Sequence, residues 1–219
     1  MDFSVYLPFW SALSGAQQAA LVRAAQRRSA ARGTLLRHGP SDCLGLVLIL
    51  SGQLRAYLLS GEGREITLYR LFERDICLFS ASCMMKNIQF DVTIEAEKDT
   101  DFVLLPPDVC QALTRESAAA ANYINEIMGS RFSQVMWLME QVLWTRLDQR
   151  LAAFLLEEST LEEGPLLSIT HEKIANHLGT AREVVTRMLR YFQGEGLVKL
   201  TRGAIEITAP ARLRRLSDA

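Results

Sequence analysis

The 219-residue chain lacks any apolar run near the ~20 residues that cross a bilayer. Its opening residues, MDFSVYLPFW, have neither the basic start nor the apolar stretch of a signal peptide, so the cytoplasm is the expected location, with no membrane partner. It is poor in cysteine: Cys43, Cys77, Cys83 and Cys110 are scattered with no CxxC pair. A cytosolic chain keeps such thiols reduced, and no disulfide framework is expected. The three histidines, His38, His171 and His177, share no metal-ligand spacing with the cysteines, so no metal site is expected. A nucleophile elbow and a phosphate-binding loop are also missing, which argues against an enzyme. A roll doing metal chemistry needs clustered histidines and carboxylates, and the β-prone part of the chain has only His38, in a turn. The net charge of −1 excludes a strongly basic or acidic protein, although a local basic face can still meet nucleic acid.

What is present is the composition of an ordinary globular protein, with 49% hydrophobic and 22% charged residues. Residues 14–28 read as a short helix. From Gly33 to about Leu105 the pattern changes to short β-prone runs (LGLVLIL, QLRAYLL, REITLYRL, FDVTIEA, DFVLLP) separated by turn signals. Strands at such spacing suggest a sandwich, barrel or roll. Gly52 and Gly61 fall where tight turns need positive φ. Pro106-Pro107 closes this region, and a long helical stretch runs from about Asp108 to Glu158.

Along that stretch Ala121, Ile124, Met128, Val135, Leu138 and Val142 recur at spacings of three and four, with only Arg131 breaking the series. Phe132, Met136, Met139 and Leu143 form a second apolar set on a neighbouring face. A helix with two apolar faces packs against two things. One is its own β-domain; the other is either the same helix of a second subunit or more of the same monomer. The predicted division is 1–107, a β-domain with its N-terminal helix, then 108–143, the long helix, then 144–219.

The C-terminal segment follows an acidic linker at residues 161–165 and carries the strongest signal. Ala175 supplies the small residue at a helix crossing, and Gly179 falls four residues later in a turn. Val185, Met188, Leu189 and Phe192 then keep the i, i+3, i+4, i+7 spacing of a buried face. Thr180 is placed to cap the second helix, with Glu183 completing a capping box. The hairpin LVKL-TRGA-IEIT closes the segment. This is the pattern of a helix-turn-helix with a wing. Arg182, Glu183, Thr186, Arg187 and Arg190 line the exposed side of the second helix. Arg can donate two bonds to guanine and Glu can accept from cytosine. Thr170, His171, Thr180 and Arg202 complete the DNA-facing set. The other reading of this face is a solvated charged surface. His171 and His177, both on the first helix, are expected to meet phosphate or solvent.

These features resemble the Crp/Fnr family of transcriptional regulators over nearly the whole chain. Gly33, the turns His38-Gly39-Pro40-Ser41-Asp42 and Leu50-Ser51-Gly52, and Gly61-Glu62-Gly63-Arg64-Glu65 match the family's roll signatures. Ile174 to Arg187 matches its recognition motif. The resemblance implies an α+β fold: an N-terminal cyclic-nucleotide-binding-type β-roll, a long dimerisation helix and a C-terminal winged helix-turn-helix. It implies a homodimer on palindromic double-stranded DNA, with RNA polymerase as a partner. It also implies that Arg182, Glu183 and Arg187 read a TGTGA-like half-site. An effector in the roll then shifts the hinge near residues 141–146. A ligand-binding module or a redox or haem sensor without DNA output is the alternative.

The resemblance also bears on the effector, whose identity stays open, as does any cofactor. Cyclic-nucleotide-responsive members use a Gly-Glu-Leu step and an Arg-Ser pair. Here the first region reads Arg74-Asp-Ile-Cys-Leu-Phe-Ser-Ala-Ser-Cys83, and the phosphate-arginine position holds Phe90 followed by Asp91. An Asp repels phosphate, so cAMP is not expected. Iron–sulfur members gather cysteines near the N-terminus, whereas the first here is Cys43. Haem-binding members carry a ligand His where this chain has Ser80. The remaining effector candidates are Cys77, Ser80, Cys83, Met84, Met85 and Phe90. Their sulfurs suit either a small-molecule or redox effector or the filling of a core.

Overall fold

The computed structural model describes residues 2–37, 44–78 and 91–219, so the turn at residues 38–42 lies outside the described residues. It divides into two compact units, Met1–Leu59 with Leu68–Val135, and Ser60–Thr67 with Met136–Ala219.

Among the described residues the first unit is built on two four-stranded sheets. Strands β1 (Gln26–Ala30), β8 (Thr100–Leu105), β3 (Leu46–Ser51) and β6 (Ile76–Cys77) form one. Strands β2 (Leu35–Arg37), β7 (Thr93–Ala96), β4 (Leu54–Leu59) and β5 (Glu65–Leu71) form the other. Val47 and Ile49 of β3 enter a core shared with Leu54, Ala56, Ile94 and Ala96 of the second sheet. Their neighbours Leu46 and Leu48 enter a separate core. That core is roofed by α1 (Gly15–Ala24), α2 (Pro107–Glu116) and the start of α3 (Ala118–Trp144). β3 is thus buried on both faces, which explains its unbroken apolar sequence.

Three sequence expectations change. The N-terminal helix ends at Ala24, and Gln26–Ala30 is a strand paired with β8. Arg27 and Ser29 both bond Asp101 across that pair, at 3.0 and 2.6 Å. Those bonds hold the Asp101 carboxyl below its usual range, Ser29 first and Arg27 second. Gly52 does adopt φ +92, and a Cβ there meets the Asp99 carbonyl oxygen. In the next turn Gly63, not Gly61, takes positive φ, because Ser60 and Arg64 close the loop around it. The helical stretch from 108 to 158 is three helices, broken at Ser117 and again before α4 (Leu147–Leu161). At the second break the Arg146 N–H turns to the Gln149 side chain, 3.1 Å away.

In the second unit α4 leads into β9 (Leu166–Leu167), α5 (His171–Leu178) and α6 (Arg182–Gly194). Strands β10 (Val198–Thr201) and β11 (Ala204–Ile207) and the helix α7 (Pro210–Ser217) complete it. The three strands form a sheet in the order β10-β11-β9. Leu151, Leu155, Ile174, Val185, Leu189 and Phe192 are fully buried at its centre.

Candidate nucleic-acid interface

Thr170 starts α5 by accepting the Lys173 N–H at 3.1 Å. Gly179 ends it in the left-handed conformation at φ +68. The Gly179 and Thr180 amides both return to the Ala175 carbonyl, while an Arg150 Nη donates to the Leu178 carbonyl at 2.7 Å. Thr180 therefore belongs to the end of α5. It does not cap α6, as its sequence position suggested: Ala181 is the residue before α6, and no side chain caps that helix. The Val184 and Val185 amides both return to the Ala181 carbonyl, at 3.0 and 3.2 Å, and the uncapped start of α6 is suited to anions.

The faces of α6 are those its spacing demands. Val185, Leu189 and Phe192 are wholly buried, whereas Arg182, Glu183, Arg187 and Arg190 are exposed. Thr186 lies half-buried between them, and its hydroxyl donates to the Arg182 carbonyl at 2.9 Å. His171 Nδ1 approaches the same hydroxyl at 2.9 Å, bracing α5 against α6. Partial burial, then the charges of Arg182 and Arg190, lower the pKa of His171 below the usual histidine value. Arg182 makes a long ion pair, 3.9 Å to Glu172, with most of its side chain in solvent. Arg202 is exposed at the hairpin tip between β10 and β11.

Two residues that sequence reasoning did not single out tie this surface together. Gln193 accepts the Leu200 N–H at 2.9 Å, fixing the hairpin to α6. Arg150 holds the end of α5, and burial lowers its pKa. The partner of Arg150 is 28 residues away and that of Gln193 lies across the turn into β10, and no residue pattern marks either. His177 is a correction: it is buried, its ring 5.1 Å from that of Phe154, and faces neither phosphate nor solvent. The apolar face of α5 that carries Ile174 and Leu178 also carries His177.

Among the effector candidates Cys77 is fully buried in β6, opposite Val47. Ser80, Cys83, Met84, Met85 and Phe90 lie outside the described residues. No helix among the described residues is long and apolar enough to cross a membrane.

A family model of the Crp-like helix-turn-helix domain matches residues 149–216. A crystal structure of a Crp/Fnr-family protein from Eubacterium rectale ATCC 33656 shares 55% identity with the chain. It covers 98% of this chain and 100% of that one, with a TM-score of 0.96. The cyclic AMP receptor protein of Thermus thermophilus is 27% identical over 172 residues, 78% of this chain and 79% of its own. The c-di-GMP-responsive regulator CLP of Xanthomonas campestris has the same fold, with a TM-score of 0.75 at 16% identity. That likeness covers 89% of this chain and 99% of that one. A β-roll, a long helix and a C-terminal winged helix-turn-helix define a DNA-binding transcription regulator. The chain belongs to the Crp/Fnr family of such regulators.

Proposed function

We propose that this regulator binds, as a homodimer, a palindromic site of TGTGA-like half-sites. Arg182, Glu183 and Arg187 read bases, while Thr186 and Arg190 lie beside them on α6. Thr170, His171, Thr180 and Arg202 flank the same face, and the uncapped start of α6 takes phosphate. The observation that carries this reading is the division of α6 into one wholly buried face and one charged, exposed face. The dimer reading draws on α3, where Phe132, Met136, Met139 and Leu143 are all exposed.

In this reading the chain works in three parts, 1–107 sensing, 108–143 dimerising and 144–219 binding DNA. It acts in the cytoplasm on promoters served by RNA polymerase and is not an enzyme. A small-molecule or redox effector, not cAMP, acts through the roll and the segment from Cys77 to Phe90. The absence of an arginine at Phe90-Asp91 supports excluding cAMP.

The test is fluorescence anisotropy with a duplex carrying inverted TGTGA arms and a scrambled control. Arg182→Ala is expected to lower specific affinity by roughly 1–3 kcal/mol and to relax one base position. Affinity of the wild type should fall steeply with salt. An Arg182→Ala protein that holds the palindrome as tightly as wild type overturns the recognition assignment.

A further inference from the structure

The core on the outer face of the first sheet is not filled. A cavity of about 190 Å³ lies between the N-terminal segment, α1, β3, the end of β8, α2 and the first turns of α3. Leu21, Leu46, Leu105, Leu113 and Ile124 wall it, and Ala120 and Ala121 leave the space that longer side chains on α3 would close. Protein interiors hold few voids larger than a water molecule. An apolar cavity of about 150 Å³ is already enough to take up benzene.

The lining decides what fits. No described lining residue carries a charge. The Thr114 hydroxyl is turned to the Cys110 and Gln111 carbonyls, both at 3.1 Å. The Cys110 thiol is directed at the Leu105 carbonyl oxygen, 3.8 Å away. Burial raises its pKa to about 12, so it stays a neutral thiol. Asn125 is an exposed amide on the lining. A buried water needs two to four polar partners, which these walls do not offer. An anion finds no cation here, which rules out nucleotides and carboxylates.

We propose that this cavity is a binding site for a small, neutral, largely apolar molecule of one or two fused rings, with any single polar group placed toward Asn125. The site is separate from the core between the two sheets, where Ile94 and Leu54 lie. It does not depend on the DNA reading above.

The experiment uses the full chain, methyl-labelled at Ile and Leu, titrated with indole and, separately, with benzoate. Indole is expected to give saturable shifts at the Ile124 and Leu113 methyls, leave Ile94 and Leu54 unmoved, and raise the unfolding temperature by a few degrees at millimolar concentration. Benzoate, similar in size but charged, is expected to do neither. Ala121→Leu, which fills the cavity from a half-buried position, should weaken indole at least tenfold without lowering the unliganded unfolding temperature. Thr114→Met, filling from α2, should do the same and serves if the first variant does not fold. Absent or non-saturating shifts at Ile124, shifts centred on Ile94 and Leu54, or preferential binding of benzoate overturn the proposal. So does wild-type indole affinity in a folded filling variant.

Discussion

Arg131 of α3 reaches Asp75, Nη2 to Oδ1 at 3.2 Å, and its guanidinium lies 4.7 Å from the centre of the Tyr69 ring. The other Asp75 oxygen accepts the Phe72 N–H at 2.8 Å, so the carboxylate is fixed before the arginine arrives. Tyr69 is deeply buried, and loss of solvent pushes its hydroxyl well above the usual tyrosine value. The one residue that interrupts the apolar series of α3 is therefore the one that meets an acid and a π face.

This pair makes a prediction about stability. The Arg131 side chain is 11% exposed and Asp75 37%, so solvent screens the ion pair on one side. Together the pair and the ring contact should contribute about 1 kcal/mol. Arg131→Met keeps the stem and loses the charge, and urea unfolding should show a loss of that size. In a double-mutant cycle with Asp75→Asn the coupling should be about 0.5 kcal/mol or more. A coupling of zero would show that the Tyr69 ring and the Gln134 side chain, 2.9 Å away, hold Arg131 without the acid.

The role of Arg131 shows where sequence reasoning stops. Its position in the series was visible, but its partner is 56 residues away and no local pattern announces it. The strands with strong apolar runs, β3, β4, β5 and β8, were legible because burial writes itself into composition. Strand β1, QRRSA, buries only Ala30, so nothing in its residues opposed the helix expected there. The α6 faces were legible from spacing, but its start was not. The return of the Thr180 amide to Ala175 moved the boundary by one residue, a backbone detail of the turn that side-chain spacing does not encode. The cavity was invisible because it is the space that residues from segments well separated in sequence leave between them.

His171 gives a pH dependence whose sign follows from its surroundings. With the Thr186 proton given to the Arg182 carbonyl, Nδ1 of His171 carries the proton that bonds Thr186, and a second proton adds at Nε2. Burial, Arg182 and Arg190 all oppose that second proton, so the folded value lies below 6.5. The unfolded chain then binds more protons, and stability rises with pH across the window between the folded value and 6.5. Wild type should lose stability relative to His171→Gln as pH falls through that window, and the difference should be constant above pH 7.5. Thermal unfolding of both proteins across this range measures it. Parallel curves would show that the ring is not held neutral by its neighbours.

The long helix makes the last prediction. Phe132, Met136, Met139 and Leu143 are 66%, 45%, 49% and 64% exposed, an apolar stripe too regular to be scattered surface residues. Their spacing of four, three and four is that of a coiled-coil seam. Trp137 and Trp144, also exposed, lie on the flank of that seam and were not part of the expected apolar sets. In the proposed homodimer each seam residue is buried by its counterpart, worth roughly 1.5–3 kcal/mol for a fully buried side chain. Met136→Glu with Met139→Glu places four carboxylates in the shared seam and removes four such burials. Sedimentation should find the wild type dimeric at micromolar concentration and the double variant monomeric, with circular dichroism unchanged. The monomer should also lose at least a hundredfold in affinity for the full palindrome while keeping weak, salt-sensitive binding to any duplex, since each helix-turn-helix remains intact. A double variant that still sediments as a dimer would remove α3 from the interface and leave the spacing of the two α6 helices to some other contact.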